Sequence, residues 1–227
     1  MDASRLPLVL ADLHRSLPAG APIHVRLPRA DSDHPTGADL MTGAGFGHLV
    51  VTEAGDQHAV DAVRLRSLPD IVATGMQLLV CGLNPSLHAA DAGVGYAGPA
   101  NRFWPVIAEV VGLAHSSPAL LLTDHGIGMT DLVKRATTKA SEISAAEFRT
   151  GLARVDRLSG WLRPAAVCFV GLGGWRAAGH PRAQPGWQLE LVGGRPVYVM
   201  PSTSGRNAHA SRGALSEHLR RALRTRS

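Results

Sequence analysis

The sequence predicts an α/β fold: a three-layer αβα sandwich around a central, mostly parallel sheet, with a small N-terminal α+β extension. Three observations predict it. Short, near-continuous apolar runs, QLLVCGLN (77–84), AAVCFVGL (165–172) and PVYVMPS (196–202), have the texture of strands buried on both faces. Between the first two lies FWPVIAEVVGL (103–113), which has the length and spacing of a covering helix. The 227 residues, 45% hydrophobic, suffice for one well-buried domain and an appendage but fall short of two full domains. Residues 1–66 therefore read as an N-terminal extension of unassigned role, and residues 67–227 as the main domain.

In chain order, residues 4–17 place Leu6, Leu8, Leu10, Leu13 and Leu17 near helical spacing, which predicts a short amphipathic helix. After a Pro-Ala-Gly-Ala-Pro break, IHVRL (23–27) and GHLVVTE (47–53) read as strands. Between them, RADSDHPTGADLMTGAGFG (29–47) is rich in turn residues and reads as a mobile connection. This first third carries no catalytic pattern. From Pro69 onward the texture changes to alternating strands and helices.

Composition narrows the function classes. A net charge of +5 and a pI near 10.0 favour a polyanionic partner. All but two of the 23 basic residues, Lys134 and Lys139, are arginine, a bias that GC-rich coding also produces. Two cysteines, Cys81 and Cys168, each inside an apolar run, exclude a disulfide framework and a four-cysteine cluster within the chain. The eleven histidines form no HExxH or other ligand spacing, so no metal is expected. The N-terminus interleaves charges with its apolar residues, and no run approaches the roughly 18 apolar residues of a membrane span. A cytoplasmic location is the expectation.

In open parallel sheets the ligand sits beyond the carboxyl ends of the strands. Three predicted strands end in small or polar loops: Asn84-Pro85-Ser86, Gly171-Leu172-Gly173-Gly174 and Pro201-Ser202-Thr203-Ser204-Gly205-Arg206. A nucleotide-phosphate cradle fits poorly, because no GxGxxG directly follows the strand at 77–84, no GK[ST] occurs, and GLGGW at 171–175 lacks the spacing. Asn84 before Pro85 serves equally as a turn former, since Asx side chains bond the nearby backbone. Tyr96, between glycines, has little regular structure of its own to pack into, which suits a ring that stacks on a planar group. The run MPSTSGRNAHAS (200–211) offers hydroxyls and an arginine on a tight turn for phosphate and groove contacts, or else is a solvated loop with a helix cap. Neither Ser86 nor Ser204 has a GxSxG setting, and no His-Asp pair can be nominated. An amide, a ring, hydroxyls and an arginine without a strong nucleophile suit a reaction whose leaving group departs largely by itself.

Three segments carry a family resemblance: SLPDIVATGMQLLVCGLNPSLHAADAGVGYAGPANRFW (67–104), GIGMTDLVKRATTKASEIS (126–144) and YVMPSTSGRNA (198–208). In this order they resemble the mismatch-specific uracil/thymine DNA glycosylases of the uracil-DNA glycosylase superfamily, over about residues 69–220. The resemblance implies that Asn84 is the catalytic asparagine, with Thr137 beside it. It implies a base pocket of Leu83, His88, Ala89, Tyr96 and Asp131, with Tyr96 stacking on the flipped base. It also implies a DNA-penetrating loop of Ser202, Ser204, Gly205, Arg206 and Asn207, with Arg206 at its tip. The implied activity is monofunctional excision of uracil, or of thymine and other damaged bases, from guanine mismatches in base excision repair. The implied partner is double-stranded DNA, bound by a monomer in the bacterial cytosol near the nucleoid, without cofactor or metal. Ser86 replaces the usual glycine, which the fold tolerates if φ there is negative. Asp131 stands where relatives carry asparagine or lysine, and an ionised carboxylate accepts but cannot donate, so base preference stays open. A non-catalytic damage-binding protein on this fold, or an enzyme for hypoxanthine or etheno-bases, are the alternatives.

Overall fold

The computed structural model of the chain describes residues 3–29, 35–207 and 210–224. The central sheet has five strands: β4 (Leu78–Gly82), β5 (Ile127–Asp131), β6 (Val167–Val170), β7 (Gly186–Val192) and β8 (Arg195–Met200), in the order β5-β4-β6-β8-β7. The first four in that order run parallel, and β7 joins the edge antiparallel to β8. All five residues of β4 are buried, because helices cover both faces and no position alternates toward water.

The strand period of two sorts the side chains into two cores. Leu79, Cys81, Val167, Phe169, Val197 and Val199 pack toward α6 (Ala145–Leu162) and α7 (Leu172–Ala178). Leu78, Val80, Cys168, Tyr198 and Met200 pack toward α4 (Phe103–Val111), α5 (Pro118–His125) and α8 (Arg212–Leu223). The result is the αβα sandwich expected from the sequence. Cys81 and Cys168 are free, buried, and on opposite faces of the sheet.

The edge strand β7 was not legible as an apolar run, since Leu189, Glu190 and Leu191 are exposed. Its signal is the Gly193-Gly194 pair, both at positive φ, which forms the two-residue hairpin into β8.

The N-terminal unit comprises α1 (Leu6–Ser16), β1 (Pro22–Pro28), α2 (Gly37–Gly43), β2 (Phe46–Ala54) and β3 (Gln57–Arg64). Its sheet is antiparallel in the order β1-β3-β2, with Leu10, Leu27, Met41, Phe46 and Val60 in its own core. The expectation of a mobile connection over 29–47 is corrected for residues 35–47, and 30–34 lie outside the described residues. Thr36 and Asp39 form a reciprocal capping box that starts α2, worth about 1 kcal/mol at such a cap, and Met41 is buried beneath it. Asp39 in turn takes both Nε and Nη2 of Arg157, at 2.8 and 2.7 Å, which ties α2 to α6. No helix among the described residues is long and apolar enough to cross a membrane.

Candidate active site

The parallel strands end at one rim, and a cavity of about 480 Å³ opens there, a size within the range of small-molecule sites. Leu83, Asn84, Ala89, Tyr96, Asp131, Thr137, Ser202, Ser204, Gly205 and Arg206 all line it.

Asn84 follows β4, and its amide nitrogen donates to Pro85 O at 3.0 Å, Arg135 O at 3.0 Å and Thr137 Oγ1 at 2.8 Å. Two of these partners are carbonyls. The third, Thr137, donates its own proton to Lys139 O at 3.0 Å and so accepts from Asn84. Only the NH2 group can face three acceptors, its two protons shared among them, which fixes the amide orientation and leaves Oδ1 as the acceptor of a side chain that lines the cavity. Thr137 thus anchors the Asn84 amide at the cavity wall. Ser86 has φ −74° and caps α3 (Leu87–Ala92) by accepting from Ala89 N–H at 3.1 Å, so the replacement of glycine is without strain.

Tyr96 sits at φ +59°, an uncommon conformation for a residue with a side chain. Its ring stacks on Phe103 at 4.1 Å and 18°, and Trp104 Nε1 donates to Gly95 O at 2.8 Å beside it. The aromatic thus has a partner that the glycine-rich wording of the loop concealed, and Phe103 backs it from inside the domain. The Tyr96 hydroxyl is buried with no protein hydrogen-bond partner. A side chain at Gly82 would collide with both that hydroxyl and Asp131 Oδ1, so the two polar groups converge over a bare backbone. Burial pushes the Asp131 carboxyl up to about 6; Lys134 and Arg154 pull against that shift, while Asp70 adds to it. Burial, then Asp131, holds the Tyr96 phenol well above its ordinary range, so it stays neutral.

The loop after β8 is folded by its own polar groups. Ser202 Oγ accepts from Ser204 N–H at 3.2 Å, and Ser204 Oγ accepts from Arg206 N–H at 3.4 Å, which leaves both O–H donors for a ligand. Gly205 lies against the tyrosine loop: a Cβ there would sit 2.6 Å from Ala100 Cβ and 2.8 Å from Ala100 O. Only glycine allows this approach. The Arg206 side chain is exposed at the rim.

A family model of the uracil DNA glycosylase superfamily matches residues 69–225. The chain belongs to the uracil DNA glycosylase superfamily. A solution NMR structure of a candidate uracil DNA glycosylase from Methanosarcina acetivorans is similar to it at 23% identity, with a TM-score of 0.48, over 70% of this chain and 97% of that one. Superfamily membership supports a DNA glycosylase activity in broad terms.

Of the residues nominated from the superfamily resemblance, His88 and Asn207 do not line the cavity. His88 is exposed on α3. Asn207 turns inward, its Nδ2 donating to Ser202 O at 2.8 Å. The side chain of Leu83 packs toward Gly171 and Gly174, with Cδ1 and Cγ within 3.2 and 3.1 Å of where their Cβ atoms would be.

Arg102 was missed by sequence reasoning. It donates to Ala210 O, to Asn207 O at 2.7 Å and to Ser204 O at 3.3 Å, and its own N–H bonds Thr203 O at 2.9 Å. Nothing in NRFW separates this arginine from a surface one. Also missed was the buried cluster under β5, where Asp70 takes Lys134 Nζ at 2.8 Å and Arg154 Nη1 at 2.7 Å. Burial alone would raise Asp70, but the two cations hold its carboxyl below the usual range. Among the described residues there is no cluster of His, Cys, Asp and Glu that could hold a metal.

Proposed function

We propose that this protein is a monofunctional DNA glycosylase that flips uracil out of guanine-mismatched duplex DNA and hydrolyses its N-glycosidic bond. The observation that supports the reading is Asn84 at the cavity wall, its NH2 turned to three protein acceptors so that Oδ1 is the atom left to accept from a water.

A base inside the duplex is out of reach, so it is extruded into the cavity at a cost of a few kcal/mol, least for a mismatched pair. Tyr96, backed by Phe103, stacks on the base and recovers about 1–3 kcal/mol. Arg206 enters the gap left in the duplex, and the free hydroxyl protons of Ser202 and Ser204 bond phosphate oxygens. The C1′–N bond then breaks with its electron pair leaving on the base, and main-chain N–H groups around Leu83 stabilise the developing charge. Asn84 Oδ1 accepts a hydrogen bond from the water that attacks C1′. An amide is a weak base, so its contribution is orientation.

Asp131 faces the base edge. A carboxyl that titrates near 6 accepts from a base N–H when ionised and donates to a carbonyl when protonated. The test is incubation of the purified chain with labelled duplexes carrying uracil opposite guanine, uracil opposite adenine, thymine opposite guanine, hypoxanthine or ethenocytosine, followed by alkali to cut abasic sites. Uracil opposite guanine is cleaved fastest. Preferential cleavage of hypoxanthine or ethenocytosine would replace uracil as the substrate, and binding without any abasic product would turn the reading to a damage-binding protein.

A further inference from the structure

The superfamily match begins at residue 69, which leaves the N-terminal unit outside it. Yet that unit touches the groups beneath the pocket. Gly43, the last residue of α2, accepts the Asp70 N–H at 2.8 Å. A Cβ on Gly43 would sit 2.5 Å from Asp70 Oδ2 and 2.9 Å from Arg154 Nη1, so the helix end lies directly on the ion pair. The crevice between them, lined by Asp39, Leu40, Gly43 and Ala44 from one side and Asp70 and Arg154 from the other, has a volume of only about 10 Å³, room for about one water at most.

The same cluster holds the end of β5. Thr130 Oγ1 donates to Asp70 Oδ1 at 2.6 Å, and Arg154 Nη2 donates to Thr130 Oγ1 at 3.0 Å and to the main-chain oxygen of Asp131 at 2.7 Å. Ser67, at the end of the link from the N-terminal unit, donates to Lys134 O. Behind Asp131 and Tyr96 a second cavity of about 30 Å³ is lined by Arg15 of α1, Leu68 and Thr130.

We propose that the N-terminal unit is a working part of the base pocket: α2, pinned through Asp39 to Arg157, seals the Asp70 cluster from water, and through Arg154 that cluster fixes the Asp131 side chain over Gly82 beside Tyr96. Gly43, Asp39 and Arg157 are positioning residues in this arrangement, whose functional meaning rests on the reading of Asp131 as a base-facing group. An ion pair so deeply buried survives only while dry and fully partnered, which is what the lid maintains. The charged and titratable groups around Asp131 are Asp70 ahead of β4, Cys81 of β4, Lys134 after β5, Arg154 of α6, Tyr96 of the loop before α4 and, across the rear cavity, Arg15.

The test follows the Asp131 carboxyl carbon by NMR in the isotope-labelled full chain, titrated between about pH 4 and 8, in wild type, Gly43→Ala and Arg157→Met. Gly43→Ala drives a methyl group into the ion pair, whereas Arg157→Met only unpins α2 and keeps the aliphatic stem, so a folding failure of the first leaves the second readable. With the lid disturbed, water reaches the cluster, Arg154 no longer fixes the end of β5, and the Asp131 midpoint moves away from its wild-type value of about 6. A midpoint that stays at its wild-type value in the folded variants overturns the proposal. The readout needs no cleavage. If the midpoint follows Gly43 but no uracil duplex is cut, the arrangement stands and the glycosylase reading fails; if duplexes are cut and the midpoint does not move, the reverse holds.

Discussion

Asn84 and Asp131 show how much one side chain's surroundings decide. Asn84 is a candidate for catalysis because three acceptors consume its nitrogen, and not because asparagine is a strong base. Asp131 pays the opposite way: its carboxyl is half-buried beside a neutral phenol, and ionising it opposes the fold. A carboxyl whose folded pKa, about 6, lies above its ordinary 3.8 gives full stability below 3.8 and loses it as pH rises through 6. Asp131→Asn removes the ionisation and keeps the shape. The variant is therefore more stable than wild type at pH 7, by on the order of 2 kcal/mol, and no more stable below about pH 4. Thermal melts at the two pH values check this. Equal melting temperatures at neutral pH would mean that the carboxyl is better solvated than its burial indicates.

At the scale of elements, the tyrosine loop and the arginine loop are one device. Arg102 closes on three carbonyls of the loop after β8, and Gly205 lies against Ala100, so any movement of Arg206 is felt in the segment that carries Tyr96. Arg102→Met frees those carbonyls while keeping most of the aliphatic stem. Affinity for a uracil-containing duplex then falls about tenfold, or about 1.4 kcal/mol, while the single-turnover rate at saturating protein changes far less. Gel-shift titration with parallel single-turnover kinetics separates the two. A loss confined to the rate would place Arg102 in the chemistry instead. Arg102 was not legible in NRFW, because its three partners are main-chain oxygens about a hundred residues away and leave no trace in residue types. By contrast β4, β6 and β8 were legible, since strands covered on both faces must be apolar throughout. Strands β3 and β7 were not, being half-exposed and interrupted by polar and charged residues. The helix α2 was hidden by its glycines, although Thr36 and Asp39 carried its capping signal.

The whole molecule assembles the site from the carboxyl ends of a parallel sheet, so that residues from positions 83 to 206 meet at one rim. The rim loops after β4 and β8 could be anticipated from the strands that precede them; the loop after β5 could not, since β5 was not read as a strand, and Gly171–Gly174 after β6 opens α7 and does not line the cavity. The cluster of Asp70, Lys134 and Arg154 could not, because each of these residues alone reads as a surface charge until the chain buries all three together. The N-terminal unit belongs with that cluster: Gly43 seals it on one side while Asp131 hangs from the other. A net charge of +5 suits attraction to a duplex, and in the proposed reading the discrimination between bases falls to the residues of the rim. The most direct measurement is single-turnover release of uracil from a guanine-mismatched duplex by the wild-type chain and by Asn84→Ala, with duplex affinity measured alongside. Asn84→Ala is expected to lose at least about a hundredfold in rate, with affinity nearly unchanged. A variant that releases uracil at the wild-type rate would contradict it, because the anchored amide would then have no part in the reaction.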